Sequence, residues 1–400
     1  MKLLTILILF ISTPVFSQTE FQKDFAEFWT DVNENHAYLE IQGIDWDKVK
    51  EIYQPMADTI QNRDEFIRFL ETIINELHNG HISLNTNLDS SNRIIPSGSD
   101  IFVQRKDNAY FITDIRKNHS SELCGLKPGL QVVKFNGEKI DQLLPNFLPK
   151  YTKVYNDEMY EYALNMLFAG THDKKRIITV FENGVEKNYF PDEFKIPNQS
   201  KDLLEFKIIK SNIGYIKINN SLYDSDLIPT FDAATDSLRN TDKLIIDLTE
   251  TPSGGNSAVA RAIMGRFISK EMPYQKHEAF ETRYKIRRSW IEYVSPRKSI
   301  YSKEVYILVG HWTGSMGEGI AIGFDGIGKA KIVGTKMAGL LGAIEGFKLS
   351  QTNIGFQIPT ERLYHINGTP REKYIPKYLC GNIYNSWEKV NELIKMNEYK

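Results

Sequence analysis

Ser315 is the residue whose setting most suggests chemistry. It follows the apolar, β-branched run Val305–Gly310, which reads as a buried strand, and precedes Gly319-Ile320-Ala321-Ile322, which reads as a helix. A serine at a strand-to-helix turn stands at the carboxyl edge of a parallel sheet, where α/β enzymes gather their reacting groups. The helix N-terminus also presents backbone N–H groups with no intrahelical acceptor, able to stabilise a developing oxyanion. The N–H of Met316 is one such donor. Gly254 and Gly255, in the phrase Pro252-Ser253-Gly254-Gly255-Asn256, supply another, because glycine lets the backbone come close to a substrate. The hydroxyl itself is a poor nucleophile until a base takes its proton.

Three of the eight histidines bear on that base. His81 follows Gly80, which reads as the glycine that ends the preceding helix. His311 lies just before Ser315, and His365 lies downstream in Tyr364-His365-Ile366-Asn367-Gly368. An α/β-hydrolase order of serine, acid and histidine would use His365. That reading fails at Thr313, which stands where the Gly-x-Ser-x-Gly elbow requires glycine. His78 and His81 form an H-x-x-H pair, but no carboxylate or cysteine set nearby completes a metal site. The residues alone leave the base open.

These groups act only if distant parts of the chain bring them together. Four hundred residues are too many for one ordinary core, so two or three domains are expected. Residues 1–17 read as a secretory signal peptide: Lys2, an apolar core from Leu3 to Ile11, and the small-residue pattern Val15-Phe16-Ser17. Residues 18–95 read as a helical domain, with Phe21, Phe25, Phe28 and Trp29 and then Phe66, Phe69, Leu70, Ile73, Ile74 and Leu77 at helical spacing. Residues 96–200 change to short alternating strands with Asn136-Gly137 and Asn183-Gly184 turns. From 201 to 400 the pattern is strand, glycine loop and helix, twice over, which implies parallel strands in an α/β layer with both glycine loops at one edge. A net charge of −2 with scattered basic residues excludes nucleic acid as the main partner. No segment after the signal is apolar enough to span a membrane. Cys124 and Cys380, far apart, read as unpaired thiols.

Two resemblances add what the residues cannot. The phrase Cys124-Gly125-Leu126-Lys127-Pro128-Gly129-Leu130-Gln131-Val132-Val133-Lys134-Phe135-Asn136-Gly137 resembles the signature of PDZ domains, with Leu130-Gln131 in place of Gly-Asp. Nearly the whole chain after residue 17 resembles the S41 family of serine peptidases, the C-terminal-processing proteases and their tricorn-core relatives. The resemblance rests on Leu77-His78-Asn79-Gly80-His81, Ile213-Gly214-Tyr215-Ile216-Lys217-Ile218, Leu244-Ile245-Ile246-Asp247-Leu248 with its Gly-Gly loop, Gly314-Ser315-Met316-Gly317-Glu318 and Ile332-Val333-Gly334-Thr335.

The resemblance implies a multi-domain α/β fold: a helical N-terminal region, a PDZ-like β module and a ClpP/crotonase-like core. One branch of the family uses a Ser–Lys dyad with the lysine after a Gly-x-x-Thr-x-Gly phrase. Here that phrase is Gly334-Thr335-Lys336-Met337-Ala338-Gly339, and Leu340 holds the lysine position, with Lys336 and Lys348 out of register. The tricorn-like branch implies His81 as the base. It also implies Glu372, in Gly368-Thr369-Pro370-Arg371-Glu372-Lys373-Tyr374, as a residue that orients or polarises the site through a hydroxyl. Lys373 and Lys377 depart from the family phrase there, and Thr249-Glu250-Thr251-Pro252-Ser253 departs in the glycine loop. The implied activity is that of an exported, periplasmic or secreted serine endopeptidase acting on peptides or unfolded chains, with no metal or organic cofactor. A catalytically silent binding protein of the same fold and an acyl hydrolase are the alternatives.

Overall fold

The computed structural model describes residues 18–196, 200–281 and 284–398, so the expected signal segment lies outside the described residues. The molecule is a multi-domain α/β protein, and its described residues form three sheets. The central one has six strands in the order Tyr378–Leu379, Lys331–Gly334, Glu304–Val309, Lys243–Asp247, Ile213–Ile218 and Leu204–Ile209. Its strands run parallel except the last, which is antiparallel to Ile213–Ile218. Strands such as Glu304–Val309 are buried over nearly their whole length, which is why they read as unbroken apolar runs rather than alternating ones. Helices Leu227–Ser237, Ser257–Met264 and Met316–Gly326 cover this sheet, and Ile246, Ile307, Phe231, Ile263 and Ile320 fill the space between.

The N-terminal region forms helices Glu20–Asn35, Trp46–Ala57 and Arg63–Ile74. Their apolar faces do not close on one another alone. Phe28 packs edge-on against Phe356 with ring centroids 4.9 Å apart, and Leu349, Ile354, Phe356 and Ile358 complete the same core. Ser83–Leu84 then pairs with the long strand Gly355–His365, joining the N-terminal helices to the second sheet. That sheet also holds Met272–Glu281, Ile286–Val294 and Ala343–Lys348.

The β module comprises Ile101–Lys106, Ala109–Ile115, Gln131–Phe135, Glu138–Lys139, Ile178–Glu182 and Val185–Tyr189, with helix Asp157–Ala169 against it. Its Asn136-Gly137 and Asn183-Gly184 turns have positive φ at both residues, the geometry that joins tight hairpins.

One local expectation is corrected. The left-handed residue ending the helical turn before His81 is His78, with φ 33°, and not Gly80. Gly80 is required for space instead: a β-carbon there would stand 2.3 Å from the Ile95 carbonyl oxygen. Cys124 and Cys380 are free thiols, partly exposed. Among the described residues no helix is long and apolar enough to cross a membrane.

Candidate active site

Ser315 caps helix Met316–Gly326 at the carboxyl edge of the central sheet, with φ 52° and ψ −112°. A non-glycine residue with such angles is strained by about 1–3 kcal/mol and persists only where its surroundings hold it. Here they do. Glu318 Oε2 accepts from the Ser315 N–H at 2.8 Å, the Gly314 N–H donates to the Thr251 carbonyl at 2.9 Å, and Thr313 Oγ1 donates to the Leu248 carbonyl at 2.8 Å. A β-carbon on Gly314 would come within 2.7 Å of the Pro252 carbonyl oxygen, and one on Gly317 within 2.6 Å of Thr251 Oγ1. The Ser315 turn and the glycine loop after Lys243–Asp247 are thus packed backbone to backbone.

His81 Nε2 lies 3.1 Å from Ser315 Oγ, although the two residues are 234 positions apart in sequence. Its Nδ1 lies 2.5 Å from the Leu341 carbonyl, which can only accept. The proton therefore sits on Nδ1 and the Nε2 lone pair faces the serine. Burial, and next the positive charge of Arg371, push the His81 pKa down to about 4, with the Leu341 hydrogen bond opposing them. The imidazole is neutral at rest and able to accept a proton.

A short strap, residues 339–342, holds the two halves together. Asn79 Oδ1 accepts from the N–H groups of His81 (3.0 Å) and Leu341 (3.2 Å), while its Nδ2 donates to the Gly339 carbonyl at 3.1 Å. Glu318, fully buried, accepts from the N–H groups of Gly339 (2.9 Å) and Leu340 (3.3 Å) as well as that of Ser315. Burial raises the Glu318 pKa to about 7 against the pull of Arg371 and these three donors. Arg371 is buried and gives Nη2 to the carbonyls of Leu340 and Gly342. Leu340, where a dyad lysine would stand, packs beside Gly314.

The expected oxyanion donors flank the serine. Met316 is the first helical residue, so its N–H has no intrahelical acceptor. A β-carbon on Gly254 would stand 3.5 Å from Ser315 Oγ, and one on Gly255 would meet Met316 Cβ at 2.8 Å. Gly254, Gly255 and Asn256 are exposed, which leaves that side of Ser315 open to a substrate.

Glu372 lies elsewhere. It lines a cavity of about 530 Å³ whose wall also includes Asn79, Gly80 and the strap. No hydrogen bond joins Glu372 to His81 or Ser315 among the described residues, and burial raises its pKa. His365 pairs with Asp325 at 3.3 Å, and His311 stacks on Phe102, so neither faces the serine. His78 Nδ1 lies against the Glu76 carbonyl.

The sequence matches two family descriptions: Tricorn protease C1 domain over residues 17–75 and Peptidase family S41 over residues 212–377. The S41 description covers the part of the chain that holds Ser315. With that match the chain is a serine-type peptidase. No curated protein sequence matches it significantly. Solved structures with a similar fold include mature CPAF (13% identity, 94% of this chain and 96% of that one, TM-score 0.64) and the photosystem II D1 C-terminal processing protease (14%, 91% and 94%, TM-score 0.56). Mature CPAF complexed with lactacystin is similar too (14%, 94% and 97%, TM-score 0.61). At these identities the likeness is one of fold.

Three parts of the candidate site escaped the sequence reading. Glu318 had a visible signal, since Ser315-x-x-Glu318 has the spacing of a capping box. Asn79 had none beyond its place before Gly80-His81. The Leu341 carbonyl could not have had one, because every residue carries a carbonyl.

Proposed function

We propose that the chain is an exported serine endopeptidase acting on peptides or unfolded chains, with Ser315 as nucleophile and His81 as general base. The observation that carries this reading is the 3.1 Å approach of a neutral His81 Nε2 to Ser315 Oγ, with the tautomer fixed by the Leu341 carbonyl. As Ser315 Oγ bonds to the scissile carbonyl carbon, its proton passes to His81 Nε2. The carbonyl oxygen takes the negative charge and is met by the N–H of Met316 and by one from Gly254 or Gly255. The imidazolium then gives the proton to the leaving amine nitrogen, the C–N bond breaks, and an acyl-serine remains. Water attacks that ester with His81 again as base, which frees the acid and restores Ser315.

In this arrangement the Leu341 carbonyl orients His81. Glu372 keeps the part of a residue that orients or polarises the site through a hydroxyl, from the cavity wall beside the strap. The β module with the PDZ-like phrase belongs to the same proposal, as does export by the segment 1–17.

A fluorophosphonate probe and denatured casein test the reading together. The wild-type chain is expected to label and to cleave. Ser315→Ala abolishes both, and His81→Ala lowers both by a factor of at least about 10³. A folded wild-type chain that neither labels nor cleaves sinks the reading. Labelling with ester hydrolysis but no cleavage of casein moves the protein to the acyl hydrolases.

A further inference from the structure

The β module meets the peptidase core around the nucleophile turn. Trp312 Nε1 donates to the Ser99 carbonyl at 2.8 Å, and His311 stacks on Phe102 with centroids 3.6 Å apart. Arg116, at the end of strand Ala109–Ile115, gives Nε to Glu250 Oε2 at 3.0 Å and Nη1 to the Ser97 carbonyl at 2.9 Å. Glu250 belongs to the loop that carries Gly254. The paired side chains are only 9% and 16% exposed, so water screens them little and the link is stiffer than a surface ion pair. His119 Nε2 lies 4.0 Å from the same carboxylate, and burial holds its pKa below the ordinary histidine value, which leaves Arg116 as the cation there.

Other tethers of this loop come from within the core. Thr249 bonds Asp247 through both N–H and hydroxyl, and Ser253 bonds Asn220 Oδ1 in the same two ways. They anchor the two ends of the loop, and Thr251 inside it gives Oγ1 to the Leu248 carbonyl and accepts the Gly314 N–H. Glu250 stands next to Thr251, and its carboxylate is held from the module.

The module edge beside helix Asp157–Ala169 is taken up. Ile101–Lys106 is the end strand there, opposite Val185–Tyr189 at the other end of the sheet, and an added peptide strand would pair at such an edge. Buried Asn165 occupies both backbone groups of Val103: Oδ1 accepts from its N–H at 3.0 Å, and Nδ2 donates to its carbonyl at 3.2 Å. The neighbouring Phe102 ring is covered by His311.

We propose that Arg116 is a positioning residue for the oxyanion loop: through Glu250 it sets Gly254 against Ser315, and the β module is a permanent brace of the active site rather than a peptide-operated gate. The inference rests on the reading of Ser315, His81 and the Gly254 loop given above. The families of variants separate the two. Activity surviving in Ser315→Ala sinks that reading. Activity lost in Ser315→Ala but unchanged in Arg116→Ala sinks the brace alone.

The test measures kcat and KM on a fluorogenic peptide, the rate of fluorophosphonate labelling, and the melting temperature. Arg116→Ala is expected to lower kcat and the labelling rate by about 10–100-fold, with KM within about twofold, as for a small displacement of a group that acts in the transition state. Glu250→Gln keeps the side-chain shape and is expected to show the same split, and it carries the test if Arg116→Ala does not fold. The charge-reversed pair Arg116→Glu with Glu250→Arg restores kcat to within about threefold of wild type, which a merely structural role would not predict. A peptide with a free C-terminal carboxylate, added to about 1 mM, changes kcat less than about twofold. Wild-type kcat in both single variants, a folded reversed pair no better than Arg116→Ala, or clear stimulation by the added peptide would overturn the proposal.

Discussion

At the scale of single residues, the site turns on keeping one imidazole uncharged. His81 faces Ser315 from a buried position with the Arg371 charge nearby, and both disfavour the imidazolium. Its folded pKa of about 4 therefore lies below the ordinary histidine value of 6.5. A base must be unprotonated to act, so the main acid limb of kcat/KM is expected near pH 4 to 5. Glu318 titrates at about 7 and contributes a shallower step there, because a protonated carboxyl still accepts hydrogen bonds. Glu318→Gln is expected to remove that step and leave the acid limb in place. Arg371→Gln moves the limb upward, since a positive charge beside the imidazole has gone. A wild-type limb at 6.5 would show that His81 is not held in this way. Ser315 and His81 were both legible in the sequence, the first from its turn and the second only through family resemblance. What holds His81 was not, since the Leu341 carbonyl has no residue type to betray it.

At the scale of elements, the strap 339–342 is the joint between two glycine-bearing turns. Leu340 cannot accept a proton and packs beside Gly314, while the adjacent Leu341 carbonyl reaches His81 instead. Asn79 fastens this joint with three hydrogen bonds that side-chain truncation would remove together. Asn79→Ala is expected to lower kcat by about tenfold with little change in KM, and to cost about 1–3 kcal/mol of stability for the buried groups left unpaired. Chemical denaturation and steady-state kinetics on the same preparation check both, and unchanged kcat in a folded variant would remove Asn79 from the positioning network. The strands and helices that flank these turns were readable because their apolar patterns are long. Gly80 was misread because a glycine after a helix has two physical uses, left-handed backbone and close approach. The sequence pattern is the same for both, and only the 2.3 Å clearance to Ile95 tells them apart.

At the scale of the whole molecule, His81 reaches Ser315 only because the N-terminal helices share a core with strands more than two hundred residues later. No pattern in the sequence announces that sharing. Ser83–Leu84 is too short to read as a strand, and the apolar face of Glu20–Asn35 does not say which surface covers it. Phe356 is the residue in which this dependence can be measured. It is fully buried, meets Phe28 at 4.9 Å and stacks on Phe347 at 5.3 Å. Phe356→Ala removes a large ring from a site walled by both chain segments, and is expected to destabilise by about 3–5 kcal/mol. The cavity would open between the helices that carry His81 and the sheet that fixes the strap. Labelling of Ser315 should therefore slow even in conditions where the variant remains folded, whereas a surface truncation such as Ile41→Ala changes neither quantity by much. If Phe356→Ala loses stability in urea but labels at the wild-type rate while folded, the helices merely support the peptidase core. If the two fall together, the docking of the N-terminal helices is itself part of the catalytic geometry.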